Sequence, residues 1–335
     1  MRVIALVCIT FIGFVITGCT KSISLKTDKN RPLYAIEGRI STMKGPYLVR
    51  VTRIADLSAA TTPPADSVAI LDNAEPVLDA QVIIWDEAGD MDTLQPVQNI
   101  EPPRYEYTYL GNGKLDSAFL SLTPVHSRDR GYYRTTHLTG LAGHTYHLKV
   151  RIGSEEFQAS AYMPPVPALD SVVIKQIIDE RNGSAISLPF AYFKEPQNEK
   201  NYYLLQYNYI TDYPYDYSYG RIGTGKVFPY YVVDDSALPS YVNGLPVRVI
   251  ISDHYNYGDD YPYMTATFAA YNAIQVRLSS LTKEAYNYYR QLEKQFQDDG
   301  NVYKPAPSSP VGNISNGAVG LFYASAVSYK LHLPD

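Results

Sequence analysis

The sequence predicts a mainly β protein, with an N-terminal immunoglobulin- or fibronectin-like β-sandwich, then a second Tyr-rich β domain carrying one amphipathic helix near its C-terminus. Three observations support this class. Short segments of alternating apolar and polar residues are separated by Gly- and Pro-containing turns, which is typical of sandwiches. Tyrosine, which favours strands, occurs 32 times. Three prolines within residues 163–167 interrupt the pattern once and mark a boundary between domains.

The first domain begins with a predicted hairpin. Residues 33–40 and 47–54 alternate on either side of the turn at 44–46, and about seven such strands follow one another up to residue 161. Residues 141–146 resemble a tyrosine corner, in which the hydroxyl of Tyr146 hydrogen-bonds to the backbone a few residues upstream. The spacing of strands and turns therefore indicates a β-sandwich.

The second domain combines Tyr-rich strands with one helix. Period-two alternation in residues 201–209 places Tyr203, Leu205, Tyr207 and Tyr209 on one face of a strand. A helix is predicted at about 282–299, with Thr282 as N-cap and Gly300 as the stop. Its apolar stripe consists of Ala285, Tyr289, Leu292 and Phe296. We expect this helix to lie on a sheet.

The first residues predict an exported lipoprotein. A short positive start and an apolar run from Val3 to Ile16 end in Thr17-Gly18-Cys19, the pattern of a lipoprotein signal peptide. The run is too short for a membrane-spanning helix, which needs about 20 residues. We therefore expect Cys19 to be acylated, with palmitate among its chains, and to tether the protein to the lipid bilayer. The predicted divisions are 1–18 (signal peptide), 19–32 (lipidated tether), 33–162 (sandwich), 163–169 (Pro-rich linker) and 170–335 (Tyr-rich domain).

Residue Thr20 bears on the membrane to which the lipoprotein is sorted. It is not the aspartate that commonly retains lipoproteins in an inner membrane, so the outer membrane is expected. No acidic cluster of the kind associated with export to the cell surface follows Cys19, and the leaflet stays open between periplasmic and surface-exposed.

Charge and cysteine content exclude several classes of function. The net charge is −5, and no basic stripe is present, so nucleic acid is not an expected partner. The two cysteines are Cys8, within the signal peptide, and Cys19, so no disulfide is expected in the mature fold.

No motif identifies a reaction or a cofactor. His144 and His147 are three residues apart on a predicted strand, which turns them to opposite faces and argues against a metal site. Acidic pairs such as Asp234-Asp235 and Asp259-Asp260 match no calcium-binding loop. Nucleophile elbow, P-loop and dinucleotide motifs are not found in the sequence. We predict no catalytic residue, no metal, no cofactor and no enzyme activity.

Tyrosines in two predicted loops are the candidate contact surface. A tyrosine offers a large rigid area with a polar tip, which suits binding. The alternative interpretation is a Tyr-heavy sandwich whose rings cover the sheet faces. The candidate contact residues are Tyr213, Tyr215, Tyr217, Tyr219, Tyr255, Tyr257, Tyr261 and Tyr263.

Several landmarks coincide in this chain, namely the lipobox, Ile36-Glu37-Gly38, Gly45-Pro46-Tyr47, residues 163–167 with Asp170-Ser171, residues 276–289, and residues 313–322. Together they resemble one family, the Bacteroidota lipoproteins that carry domain of unknown function 4249 (DUF4249). The resemblance covers nearly the whole mature chain. It implies an outer-membrane lipoprotein that is often encoded beside a TonB-dependent transporter, and it brings no catalytic residue.

Three functions are compatible with this sequence. The leading hypothesis is a non-enzymatic accessory protein that works with a TonB-dependent β-barrel in nutrient uptake. The alternative is a carbohydrate-binding or adhesive module in which tyrosines stack on sugars. A hydrolase, which needs a cleft with convergent carboxylates or a nucleophile beside a base, is the third. The ligand, the transporter and the oligomeric state do not follow from the sequence.

Overall fold

A computed structural model describes the fold over residues 33–54, 74–97, 104–109, 115–121, 131–178, 185–210, 227–228, 231–247, 250–251, 273–297 and 310–332. The strands of the first half are β1 (Leu33–Ser41), β2 (Leu48–Ile54), β3 (Ala74–Pro76), β4 (Gln81–Asp86), β5 (Met91–Thr93), β6 (Gln95–Pro96), β7 (Arg104–Tyr109), β8 (Leu115–Ser121), β9 (Tyr132–Arg134), β10 (Thr145–Ile152) and β11 (Glu155–Tyr162).

The second half has further strands and an α-helix. They are β12 (Leu169–Ile178), β13 (Ala185–Lys194), β14 (Tyr202–Ile210), β15 (Val227–Phe228), β16 (Tyr231–Asp234), β17 (Tyr241–Pro246), β18 (Ile250–Ile251), β19 (Ala273–Leu281), α1 (Lys283–Gln297), β20 (Phe322–Ser325) and β21 (Val327–His332).

Two sheets share the first core. The first sheet has the strand order β20-β1-β2-β9-β6, with β3 beside β2, and the second has the order β11-β10-β4-β5. Alternation directs every second side chain inward, so Ile36 and Val49 from the first sheet join Ile84, Leu148 and Phe157 from the second in one buried cluster. This arrangement is a β-sandwich, in which the predicted hairpin of β1 and β2 pairs in antiparallel register.

The predicted tyrosine corner is confirmed by the geometry of Tyr146. Its hydroxyl accepts a hydrogen bond from the backbone N–H of Leu141 at 2.7 Å, and its ring is fully buried. Tyr47 provides a second link of this kind, because its hydroxyl donates to the carbonyl of Ser41 at 2.6 Å and accepts from the N–H of Gly140 at 3.0 Å. Both rings therefore tie the loop before β10 to the sandwich.

The second core lies between two further sheets. One has the order β12-β13-β17 and the other the order β16-β14-β19-β21. Phe193 and Val242 of the first of these sheets pack with Tyr203, Leu205 and Val276 of the second. The predicted inward face of residues 201–209 is thus confirmed for Tyr203 and Leu205.

The opposite face of the β14 sheet carries helix α1. The N–H of Ala285 donates to the Oγ1 of Thr282 at 3.3 Å, which confirms the predicted N-cap. Ala285 and Tyr289 are buried against Leu204 of β14 and Val232 of β16. The prediction of a mainly β, sandwich-like fold with one helix is confirmed for the part of the chain that the structure describes.

The last strands return to both halves of the fold. Strand β20 pairs in parallel with β1, as Gly38 to Phe322 and Ser41 to Ser325, whereas β21 pairs with β19. The first core therefore includes residues that the sequence-based division places at 170–335. Leu33–Asp335 form one compact unit, and the predicted domain boundaries stay a prediction.

The predicted linker, residues 163–169, is anchored at both ends and along its length. Met163 is fully buried in the first core and Leu169 in the second. Between them, the carbonyl of Pro164 accepts a hydrogen bond from the Oγ of Ser280 at 2.6 Å. The prolines restrict the backbone of this segment, and the hydrogen bond to β19 fixes its position.

Candidate functional site

The residues predicted to bind lie outside the described part of the chain. This holds for the acylation site and for the whole candidate contact surface. These residues are Cys19, Tyr213, Tyr215, Tyr217, Tyr219, Tyr255, Tyr257, Tyr261 and Tyr263.

A shallow cleft of about 480 Å³ opens at the turn between β13 and β14. One side is the turn itself, residues 195–200, and the other is a short 3-10 helix, Asp235–Ala237, that follows β16. Three carboxylates line the cleft, from Glu195, Glu199 and Asp235. A concave site with titratable groups is where binding or catalysis is first sought.

Glu195 is the buried acid of this cleft, at 1% exposure. Its Oε1 accepts hydrogen bonds from the hydroxyl of Tyr203 at 2.9 Å and from the Nδ2 of Asn201 at 3.1 Å. Its Oε2 is buried without a hydrogen-bond partner. Burial raises the pKa of the Glu195 carboxyl, and the negative charges of Asp235 and Glu199 act in the same direction, while the two hydrogen bonds oppose it.

Asp235 and Lys200 fix the turn against the 3-10 helix. The carboxylate of Asp235 accepts from the N–H of Asn201 at 2.6 Å, and the N–H of Asp235 donates to the carbonyl of Asn201 at 3.1 Å. The Nζ of Lys200 lies 3.0 Å from the Oδ1 of Asp234 and also contacts the Oδ1 of Asp235. These bonds close the turn onto the helix.

Asp234 begins the 3-10 helix as its N-cap. Its carboxylate accepts from the hydroxyl and the backbone N–H of Ser236, and these bonds, with the ammonium of Lys200, lower the pKa of Asp234 to about 2. Asp234 therefore stays ionised throughout the physiological range and keeps Lys200 in place.

The polar groups of this cleft hold the turn at residues 195–200 against the 3-10 helix, and we call this arrangement the lock. The free oxygen of Glu195 is buried, and the carboxylate of Asp235 is engaged by Asn201 and Lys200, so neither acid is presented to a substrate in this arrangement. Within the described residues, no group of three or more His, Cys, Asp or Glu side chains is arranged to hold a metal ion.

His144 and His147, which are three residues apart in the sequence, contact different partners. The Nδ1 of His144, just before β10, lies 3.1 Å from the Oδ2 of Asp86, whereas the Nδ1 of His147 lies 2.8 Å from the Oγ of Ser160. Each imidazole thus has its own hydrogen-bond partner on a neighbouring strand.

Sequence reasoning missed the buried acids of the described residues, of which Asp92 and Glu195 are the least exposed. Asp92 is fully buried, and its Oδ2 accepts from the N–H groups of Thr136, His137 and Leu138 at 2.7, 2.8 and 3.0 Å. A signal existed for Glu195, because the alternation that turns Ala191 and Phe193 inward also turns residue 195 inward. An acid at an inward position of a strand is the pattern that could have found it.

The fold and the lock at the β13–β14 turn define a β-sandwich protein in which helix α1 covers the sheet β16-β14-β19-β21. The chain belongs to the family described as domain of unknown function (DUF4249), whose family model matches residues 20–330. No curated protein matches the sequence. Among the described residues, no helix has the length and apolar character needed to span a membrane.

Proposed function

We propose that this protein is a non-enzymatic, lipid-anchored accessory protein of the outer membrane that binds a TonB-dependent β-barrel and assists nutrient uptake. The observation that carries the proposal is the apolar run that ends in Thr17-Gly18-Cys19, ahead of a polar tether that joins the folded unit at Leu33. The barrel partner is supported by the resemblance to DUF4249 lipoproteins rather than by the chemistry of individual residues.

The anchor explains how weak contacts would suffice. Residues 20–32 reach at most about 45 Å when extended. Acyl chains on Cys19 confine the folded unit to this distance from the membrane, so the effective concentration of a neighbouring barrel is high. An interface that is weak in solution is then occupied at the membrane.

The loop tyrosines are the proposed contact surface with the barrel. Tyrosine is enriched at protein interfaces because its ring buries a large area while its hydroxyl tolerates water. Tyr213 to Tyr219 alternate with small or polar residues, a composition that suits an exposed loop.

Co-purification tests the partnership. The lipoprotein with a C-terminal tag is extracted in mild detergent, and the Cys19→Ala form is extracted in parallel as the untethered control. A stoichiometric TonB-dependent barrel, recovered with the wild type and lost from the control, is the expected result. Recovery of the lipoprotein alone, under conditions in which known barrel complexes survive, contradicts the proposal.

Alanine substitutions then locate the surface. Variants at Tyr213, Tyr215, Tyr257 and Tyr261 are expected to lower barrel recovery, whereas Tyr241→Ala, which removes a half-exposed ring on strand β17, serves as the matched control. Equal recovery with all five variants would assign the contact to another part of the molecule.

Carbohydrate binding is the second candidate function. It is favoured by a row of aromatic and apolar side chains on the outward face of the sheet β11-β10-β4-β5, where Trp85 stacks on His147. Sugar rings pack on such side chains through their C–H faces.

A further inference from the structure

The sheet β11-β10-β4-β5 has one buried and one outward face, and the outward face has an unusual composition. Val82 and Ile84 of β4 are buried in the sandwich core, so Ile83 and Trp85 point the other way. Trp85 is the single tryptophan of the chain. A half-buried tryptophan on an outward sheet face is a typical anchor of a binding surface.

The strand register places Trp85 in a row that crosses the whole sheet. It lies opposite Met91 of β5 on one side and His147 of β10 on the other, and His147 lies opposite Ser160 of β11. The rings of Trp85 and His147 are 5.2 Å apart at an angle of 22°, and the hydrogen bond to Ser160 holds the imidazole. The stacking contact and the hydrogen bond therefore hold the rings of Trp85 and His147 in place.

Exposed apolar groups lie at the β5 end of this row and, two residues along β11 from Ser160, beside its other end. Met91 is 56% exposed and Tyr162, near the end of β11, is 45% exposed. Together Met91, Trp85, His147 and Tyr162, which we call the aromatic row, form a flat amphipathic strip accessible from solvent.

A cation lies one step along the strand from the aromatic row. Lys149 follows His147 on the same face of β10, between Ile83 and Gln158 on the neighbouring strands. Arg151, the next outward residue, is paired with Glu156 at 2.9 Å. No described carboxylate lies within ion-pair distance of Lys149. Glu156 is near enough for its charge to interact with the Lys149 ammonium, but it is already paired with Arg151. The Lys149 ammonium is therefore the cation of this face that can pair with an anionic ligand.

We infer that this face binds an acidic glycan, with sugar rings packed on the aromatic row and a uronate carboxylate paired with Lys149. A uronic acid combines the two features that the face offers, because it has apolar C–H faces for Trp85 and Met91 and a carboxylate for the ammonium. This inference rests on the carbohydrate-binding candidate and names its ligand class.

Fluorescence tests the site directly, because the only tryptophan lies in it. The detergent-extracted lipoprotein is titrated with polygalacturonate, and Trp85 emission is followed under excitation that spares tyrosine. A saturable change in emission is expected. Lys149→Ala should weaken binding about tenfold or more, as expected for the loss of a charge-assisted hydrogen bond. The matched control is Lys175→Ala, a lysine on another sheet that contacts Phe190 and Tyr192, and it should bind like the wild type.

Three results would overturn the inference. The first is an unchanged Trp85 emission at saturating polygalacturonate, and the second is equal affinity in Lys149→Ala, whose folding is checked by its unfolding curve. The third is equal binding of a neutral glycan, such as dextran, or of polyglutamate. Either result would show that binding does not require both a sugar ring and a carboxylate. None of these results affects the co-purification of a TonB-dependent barrel with the lipoprotein or its loss in the Cys19→Ala control. The glycan-binding inference and the barrel proposal can therefore be contradicted independently.

Discussion

The side chain of Asn313 satisfies both backbone polar groups of Phe322. Its Oδ1 accepts from the N–H of Phe322 at 2.9 Å, and its Nδ2 donates to the carbonyl of Phe322 at 2.8 Å. The same Nδ2 lies 3.0 Å from the carbonyl of Ser160. One amide side chain thus joins β20, at the edge of the first sheet, to β11, at the edge of the second, and covers edges that otherwise attract other strands.

Replacing Asn313 by Asp should destabilise the protein by about 1–3 kcal/mol, the cost of leaving the part-buried carbonyl of Phe322 without its donor and facing a carboxylate. Aspartate keeps the size and the acceptor but loses both donors, so the carbonyls of Phe322 and Ser160 would face a carboxylate. Urea unfolding measures the difference, with Asn243→Asp, on the exposed side of β17, as the control. Equal midpoints for the two variants would show that the amide does not close the sandwich.

Gly320 allows β20 to approach β1. It has φ of +111°, and a Cβ at this position would lie 2.1 Å from the carbonyl oxygen of Ile36. The backbone on either side is bonded to β1, since the N–H of Ile36 donates to Val319 at 2.9 Å and the N–H of Gly38 donates to Leu321 at 3.0 Å. No side chain fits here without separating the two strands.

Gly320→Ala should therefore cost about 4 kcal/mol or more, which is exceptional for one substitution. Gly89→Ala is the matched control, because Gly89 has a similar φ of +92° but no atom within 4 Å of an added Cβ. Its cost should be about 1–2 kcal/mol, from the left-handed backbone alone. Thermal or urea unfolding separates the two effects, and similar losses in both variants would rule out the predicted clash.

Local sequence patterns predicted the strands, turns and helix cap, but not the sheet in which each strand pairs. The hairpin of β1 and β2, the corner at Tyr146 and the cap at Thr282 depend on neighbours in sequence, and all three are confirmed. The parallel pairing of β20 with β1 joins residues nearly three hundred positions apart, as in the contact of Arg39 with Ser325 at 3.2 Å. Alternation sets the buried face of a strand, but it does not select a distant partner.

The candidate sites were predictable to different degrees, because one depends on a local motif and the other on the pairing of distant strands. Acylation of Cys19 is predicted by a contiguous motif, whereas the aromatic row becomes visible only when the register of four strands is known. Trp85 and Met91 flank one hairpin turn, but His147 comes from a strand some sixty residues later, and nothing in either segment marks it as their neighbour.

Asp92 and Glu195, the two least exposed acids of the described residues, should respond to pH with opposite signs. Burial alone would raise the pKa of Asp92, but the N–H groups of residues 136–138 and the hydroxyl of Thr136 outweigh it and lower that pKa. Asp92 therefore stabilises the fold above the ordinary aspartate pKa of about 4, and this contribution is lost as the pH falls through its folded pKa. The pKa of Glu195 is raised, mainly by burial. Its contribution is complete below the ordinary glutamate pKa and is lost as the pH rises through the folded pKa.

Glu195→Gln should consequently be more stable than the wild type at pH 7, and this advantage should shrink as the pH is lowered toward 4. Glutamine keeps an oxygen for Tyr203 and Asn201 and carries no charge that burial would penalise. Asp92→Asn should behave in the opposite way, with its largest loss of stability at pH 7 and a smaller loss in acid. Urea midpoints of the three proteins between pH 4 and 8 give the comparison. If Glu195→Gln were destabilised by the same amount at every pH, the carboxyl would not be titrating in the lock, and its packing alone would explain its burial.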